Sequence, residues 1–255
     1  MQADLHFTPQ QTDDLSLRDK TVVVIDVLRA STSITTALRN GAKEVIPVTT
    51  VERAVKISGH LFGDVILLGG ERNGKMIQGF NLGNSPAEYS EEKVKGKSII
   101  FSSTNGSQAI ERARYAQTLL LCGFVNISAI VDELRVLNND FTIVCSGSDG
   151  KFSIEDSVCA GMLLHKIREG NPVELTLSDA AHATVLLYRA HSRNILKMIR
   201  SSEHGRYLTE IGFADDLKAC ADVDSIPILP QMVGSSIRLK QDAKKKDPAK
   251  ATIPS

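Results

Sequence analysis

Between residues 20 and 168, short apolar runs rich in Val and Ile alternate with stretches whose apolar positions recur at helical spacing. The runs at 22–27, 44–48, 65–68, 98–101, 119–122 and 141–145 predict strands. Helices are expected over 31–40, closed by Gly41, over 51–58, over 86–94, closed by Gly96, and over 107–114, 128–137 and 153–168. This alternation predicts a three-layer α/β/α fold with a largely parallel or mixed central sheet. After Gly170 the pattern becomes helix-rich. Helices are expected at 178–190, 192–199, 205–211 and 214–220, with strands returning at 225–229 and 235–239. No linker composition marks a boundary, so residues 1–240 are expected to form one unit. Residues 241–255, with Lys244, Lys245 and Lys246 and few apolar positions, are expected to be a basic flexible tail.

Composition narrows the function classes. The chain has 255 residues, 42% of them hydrophobic, which is enough for a sizeable core. Lys plus Arg equals Asp plus Glu at 30 each, and the zero balance gives no support for nucleic-acid binding. There is no Trp, and aromatics are 5%, so stacking platforms for bases are scarce. Cys122, Cys145, Cys159 and Cys220 show neither C-x-x-C nor zinc spacing and are expected to be reduced, packed thiols. Residues 1–10 lack a basic segment followed by an apolar one, and no apolar run is long enough to span a membrane. A cytoplasmic protein without a membrane partner is expected, and a homo-oligomer is compatible with the sequence.

Three stretches run from an apolar strand through a polar turn into a helix. Such turns sit at the carboxyl ends of strands, where open α/β sheets bind ligands. Helix N–H groups there suit phosphate, and carboxylates suit a hard cation. In the first, Asp26 ends an apolar strand, where a carboxylate needs a cation or donors. Arg29 can clamp an oxyanion, and Ser31 or Thr32 can cap the next helix. An Asp26–Arg29 ion pair with a serine cap is the structural alternative. The second turn, Ser102 to Ser107, offers Thr104, Asn105 and Gly106 as an anion nest or as a plain capping turn. The third carries Ser146 to Asp156. Ser153 and Asp156 form a capping-box pattern, while Glu155 and Asp156 can equally ligate magnesium or act as a base.

Two further segments contribute. Residues 69–86 are glycine-rich and hold Glu71 as a base or metal ligand and Arg72 as an anion clamp. Asn84 and Ser85 precede Pro86, which fits the first turn of a helix. The run 202–206 carries His204 and Arg206, which can reach an anionic substrate, or His204 can serve as a helix cap.

The strings VVVIDVLRASTSITTALRNGAKEVIPV, GGERNG, GFNLGNSP, STNGSQA, CSGSDGKFSIEDSVCAG and SSEHGRYL stand in this order along the chain. Together they resemble the 2-phosphosulfolactate phosphatase family over residues 4–239. The resemblance implies an α/β/α enzyme that uses Mg2+ to hydrolyse 2-phosphosulfolactate to 3-sulfolactate and phosphate, a step toward coenzyme M. It implies that Asp26, Arg29, Glu71, Arg72, Asn84, Asn105, Glu155 and Asp156 line the site. Metal ligands are expected among Asp26, Glu71, Glu155 and Asp156. Substrate contacts are expected from Ser31, Arg72, Asn84, Ser85, Thr104, Asn105, Gly106, His204 and Arg206. Two positions depart from the family pattern. Asn81 stands where an Asp is usual, and the T-N-G-T turn ends in Ser107. Asn81 is expected to be a turn residue. A broader phosphatase of small phosphorylated acids and a non-catalytic phosphometabolite binder fit the same turns. The number of acids near them favours an enzyme.

Overall fold

The computed structural model describes residues 1–13, 15–60, 66–169 and 174–240. Strands β1 (Gln2–His6) and β2 (Thr21–Ile25) lead into α1 (Ala30–Arg39). Next come β3 (Glu44–Pro47), α2 (Val51–His60) and a hairpin of β4 (Ile66–Arg72) and β5 (Lys75–Met76). A short helix, α3 (Glu91–Val94), precedes β6 (Ser98–Ser102), α4 (Gly106–Arg112) and β7 (Thr118–Cys122). Then follow α5 (Ile127–Leu137), β8 (Phe141–Cys145) and α6 (Ile154–Arg168). The C-terminal part holds β9 (Thr176–Leu177), α7 (Asp179–His191), α8 (Ile195–Ser201), α9 (Glu203–Glu210) and α10 (Ala214–Ala221). It closes with β10 (Pro230–Val233) and β11 (Ser236–Leu239).

Among the described residues the strands form one sheet in the order β5, β4, β6, β3, β11, β10, β7, β2, β8, β1, β9. The pairs of β1, β2, β7 and β8 are parallel, as are those of β3, β4 and β6. The β10–β11 hairpin lies antiparallel between the two groups, meeting β7 at Gln231 and Leu120 and β3 at Ile237 and Val45. The sheet is therefore mixed.

Side-chain alternation explains the unbroken apolar run of β2. Val22 and Val24 pack with Ile34, Leu38 and Ile110 of α1 and α4 on one face. Val23 and Ile25 pack with Ile127, Ile130, Cys159 and Leu163 of α5 and α6 on the other. Ala54 of α2 packs with Ile100 of β6. The expected α/β/α layering is present. Helix α6 is buried on nearly every side because α7 covers its outer face. Gly161 permits that crossing, since a Cβ there would stand 1.9 Å from the Thr184 carbonyl oxygen.

Two elements differ from expectation. The helix expected over 86–94 divides into a 3-10 turn, Pro86–Glu88, and α3. Tyr89 between them is buried and donates its hydroxyl to the Gly83 carbonyl at 2.6 Å, and Ser90 is extended (ψ 153°). The strand expected at 225–229 begins only at Pro230. Ile226 instead donates its N–H to the Val125 carbonyl at 2.8 Å, outside the ladder. Val65, Gly170 and the expected basic tail, 241–255, lie outside the described residues. Among the described residues no helix is long and apolar enough to cross a membrane.

The sheet order creates a distance that must be closed. Five strand spacings separate β6 from β2, about 24 Å in a flat sheet at 4.8 Å each. Yet Gly106, just beyond β6, packs on Asp26, just beyond β2. The turn at 103–106 and the start of α4 bring the two sets of carboxyl ends together.

Candidate active site

A cavity of about 350 Å³ opens where these carboxyl ends meet. Asp26, Leu28 and Arg29 line it from the loop after β2, and Glu71, Asn73 and Gly74 from the β4–β5 turn. Asn84, Thr104, Asn105, Ser148 and Asp149 line it from later loops, and Glu203, His204 and Tyr207 from α9.

Asp26 is 3% exposed. Its Oδ1 accepts the Ala30 N–H at 3.3 Å. A Cβ on Gly106 would lie 2.3 Å from Oδ2 and 2.6 Å from Ala30 Cβ, so only glycine fits against this carboxylate. Burial and then the Glu71 charge raise the Asp26 carboxyl from 3.8 to about 7, against the Ala30 N–H bond. Glu71 is held differently. Its carboxylate accepts Thr104 N–H at 2.7 Å, Thr104 Oγ1 at 3.3 Å and Gly74 N–H at 2.8 Å. The Thr104 N–H expected in an anion nest is thus already occupied.

Arg29 is 2% exposed. Its Nη1 donates to Asp216 Oδ2 at 2.6 Å and its Nη2 to the Gly74 carbonyl at 2.6 Å. The guanidinium stands 4.2 Å from the centroid of the Phe213 ring. The ion-pair partner of Arg29 is therefore Asp216, not Asp26.

Adjacent acids on α6 diverge because successive helical positions point about 100° apart. Asp156 turns inward, where its carboxylate accepts Val27 N–H at 2.8 Å, Ser146 Oγ at 3.0 Å and Gly147 N–H at 3.1 Å. Burial, then Asp26, raises its carboxyl, while the Val27 and Ser146 donors pull it back. Ser153 caps α6 by accepting Asp156 N–H, as the sequence pattern predicts. Glu155 instead lies 3.7 Å from His204 Nδ1. Burial lowers the His204 imidazole, against the pull of Glu155 and Glu71.

The structure brings Asp26, Arg29, Glu71, Asn84, Thr104, Asn105 and His204 into one lining, with Gly106 and Glu155 directly behind it. Five other predicted residues fall outside the lining. Ser31 Oγ accepts Asp26 N–H at 2.9 Å, and Ser85 Oγ donates to Asp216. Asp156 latches β2 to β8. Arg72 follows Glu71 on a strand, so the two side chains point to opposite faces. Its guanidinium donates to the Glu71 and Thr49 carbonyls and to Ser102 Oγ. Arg206 stands two positions from His204 on a helix, on another face, and donates to the Ser201 carbonyl. Asn81 behaves as a turn residue, its Oδ1 accepting Leu68 N–H at 2.8 Å.

Asn73, Ser148, Asp149, Glu203 and Tyr207 were not singled out from the sequence. Tyr207 had a usable signal, since it follows His204 at helical i, i+3 spacing. Asp216 had none, because acids in a first helical turn are ordinary.

The electrostatics of the lining are unusual for an anion site. Asp26, Glu71, Asp149 and Glu203 face Arg29 and His204. Arg29 is the one Lys or Arg among the described lining residues, and Asp216 already balances it. The Asn84 side-chain oxygen is buried and, among the described residues, has no hydrogen-bond partner. Hard oxygen donors therefore remain open beside an excess of acids. Among the described residues no three His, Cys, Asp or Glu side chains converge into a preformed metal cage.

A family model described as 2-phosphosulpholactate phosphatase matches residues 6–235. A relative from Caldanaerobacter subterraneus, called a probable 2-phosphosulfolactate phosphatase, is 42% identical over 92% of this chain and 97% of its own length. One from Clostridium acetobutylicum with the same description is 37% identical over 93% of this chain and all of its own length. A third, from Thermotoga maritima, is 38% identical over 87% of this chain and 93% of its own length. Matches of this extent, on a fold whose strand ends converge on one acidic cavity, place the chain in the 2-phosphosulfolactate phosphatase family.

Proposed function

We propose that the protein is a phosphoric monoester hydrolase that releases phosphate from 2-phosphosulfolactate, with Mg2+ as cofactor. The observation that carries this reading is the convergence of Asp26, Glu71 and Arg29 on one cavity whose acids outnumber its bases. A substrate bearing phosphate, carboxylate and sulfonate cannot enter such a lining favourably without an added cation. Asp26, and Asn84 with its buried, unpartnered side-chain oxygen, are lining residues whose oxygens suit Mg2+, which commonly uses one or two carboxylates beside water and substrate oxygens. When bound there, Mg2+ supplies charge neutralisation and orientation of the phosphoryl oxygens.

The chain's own groups divide the remaining work. Arg29 has two of its five N–H donors engaged by protein, which leaves three for phosphoryl oxygens. Glu71 and Asp156 each accept three donors and act mainly as latches. Glu155, whose carboxylate meets His204, retains lone pairs and takes the proton from the attacking water. His204 holds an anionic group of the substrate. Water attacks phosphorus directly, the bond from phosphorus to the C2 oxygen breaks, and that oxygen takes up a proton, balanced by the one Glu155 removes from water, so that 3-sulfolactate leaves as the alcohol.

A substrate panel tests the reading. Phosphate release should be fastest from 2-phosphosulfolactate, slower from phospholactate and slowest from p-nitrophenyl phosphate. Equal rates on all three indicate a phosphatase of broader specificity. Saturable binding without release indicates a binding protein.

A further inference from the structure

We infer that Asp216 is a positioning residue for the phosphoryl clamp, holding the Arg29 guanidinium so that its unused N–H groups serve the substrate. The inference rests on Arg29 acting on the phosphoryl group, as proposed above. Asp216 is not among the residues that line the cavity. It lies in the first turn of α10, far along the chain from Arg29, and is 6% exposed.

Both of its oxygens are committed. Oδ2 accepts Arg29 Nη1 at 2.6 Å, and Oδ1 accepts Ser85 Oγ at 2.6 Å. Phe213, one helical turn earlier, stacks on the same guanidinium at 4.2 Å. The Gly74 carbonyl takes Nη2 at 2.6 Å. Three contacts thus fix one planar group from two segments, the start of α10 and the β4–β5 turn, and the Ser85 loop braces Asp216. Without the Asp216 carboxylate, the guanidinium keeps only the ring and one carbonyl as direct contacts, and neither fixes the position of Nη1. A clamp misplaced by about 1 Å loses transition-state stabilisation while still attracting anions.

The test is a double-mutant cycle on phosphate release from 2-phosphosulfolactate with Mg2+, accompanied by Tm and by binding of inorganic phosphate. Arg29→Ala should lower kcat by about 10²–10³-fold. Asp216→Asn should lower it about 10–100-fold. The double variant should match Arg29→Ala within about twofold, because Asp216 acts through Arg29. Asp216→Asn should bind inorganic phosphate at least as tightly as wild type, since it removes one negative charge beside Arg29. A purely structural role would lower Tm in Asp216→Asn and leave kcat of the folded protein unchanged, which overturns the inference. Multiplied losses in the double variant also overturn it. If Asp216→Asn does not fold, Ser85→Ala removes the other bond to the carboxylate. It should lower kcat about 3–10-fold, and only while Arg29 is present. Unchanged kcat in Ser85→Ala then overturns the inference. Wild-type kcat in Arg29→Ala overturns both this inference and the reading beneath it. A large loss in Arg29→Ala beside wild-type kcat in Asp216→Asn overturns this one alone.

Discussion

Replacing Asp26 with Asn should stabilise the metal-free protein while disabling it. Asp26 is 3% exposed, and its carboxyl is raised from 3.8 to about 7, first by burial and then by Glu71. The native state therefore holds this proton up to near pH 7, whereas the unfolded chain releases it near pH 4. Between those values the native state binds more protons, so stability falls as pH rises. The stability is fully present below 3.8 and is lost through about 7. A shift of roughly 3 units at 1.36 kcal/mol each sets a ceiling of about 4 kcal/mol. Asp156 and Glu155 share the same field, so about 2–4 kcal/mol is the expected range. Asn has the shape of the protonated acid and no charge to bury. In urea titrations with EDTA, Asp26→Asn should exceed wild type by that amount at pH 8 and match it near pH 4. Added Mg2+ should narrow the gap by stabilising wild type alone. A variant less stable than wild type at pH 8, or a difference independent of pH, would mean that Asp26 is not destabilised by burial of its charge.

Other expectations follow from particular contacts. Gly106→Ala places a methyl 2.3 Å from Asp26 Oδ2; it should cost about 1–3 kcal/mol by denaturation and about 10²-fold in kcat. Gly161→Ala pushes α6 away from the Thr184 carbonyl of α7. It should destabilise by about 1–3 kcal/mol yet leave the kcat of the folded enzyme unchanged. Glu155→Gln should keep wild-type Tm and lose about 10²–10⁴-fold in kcat; near-normal turnover returns Glu155 to a partner of His204 alone.

The layered fold was legible because β2, β6 and β8 are short, predominantly apolar runs followed by polar turns, and each pattern reports burial on both faces. Where the strands go in the sheet was not legible. The β10–β11 hairpin enters between β3 and β7, and each contact rests on one residue pair, Ile237 with Val45 and Gln231 with Leu120. Local periodicity carries no trace of such long-range pairing. The candidate site shows the same division. Asp26, Arg29 and Glu71 announce themselves as charges at the ends of apolar strands. Arg72 and Arg206 were grouped with neighbours that strand and helix geometry turn to other faces, so period alone excluded them from the lining. Asp216 is different in kind, because only its burial against Arg29 separates it from any acid at a helix start.

The most direct test of a magnesium-dependent phosphatase working at this cavity is phosphate release from 2-phosphosulfolactate by wild type and Asp26→Asn, each with Mg2+ and with excess EDTA. Rapid release is expected only from wild type with Mg2+, with a loss of about two decades or more in the other three conditions. Equal release with EDTA, or full activity in Asp26→Asn, would contradict it.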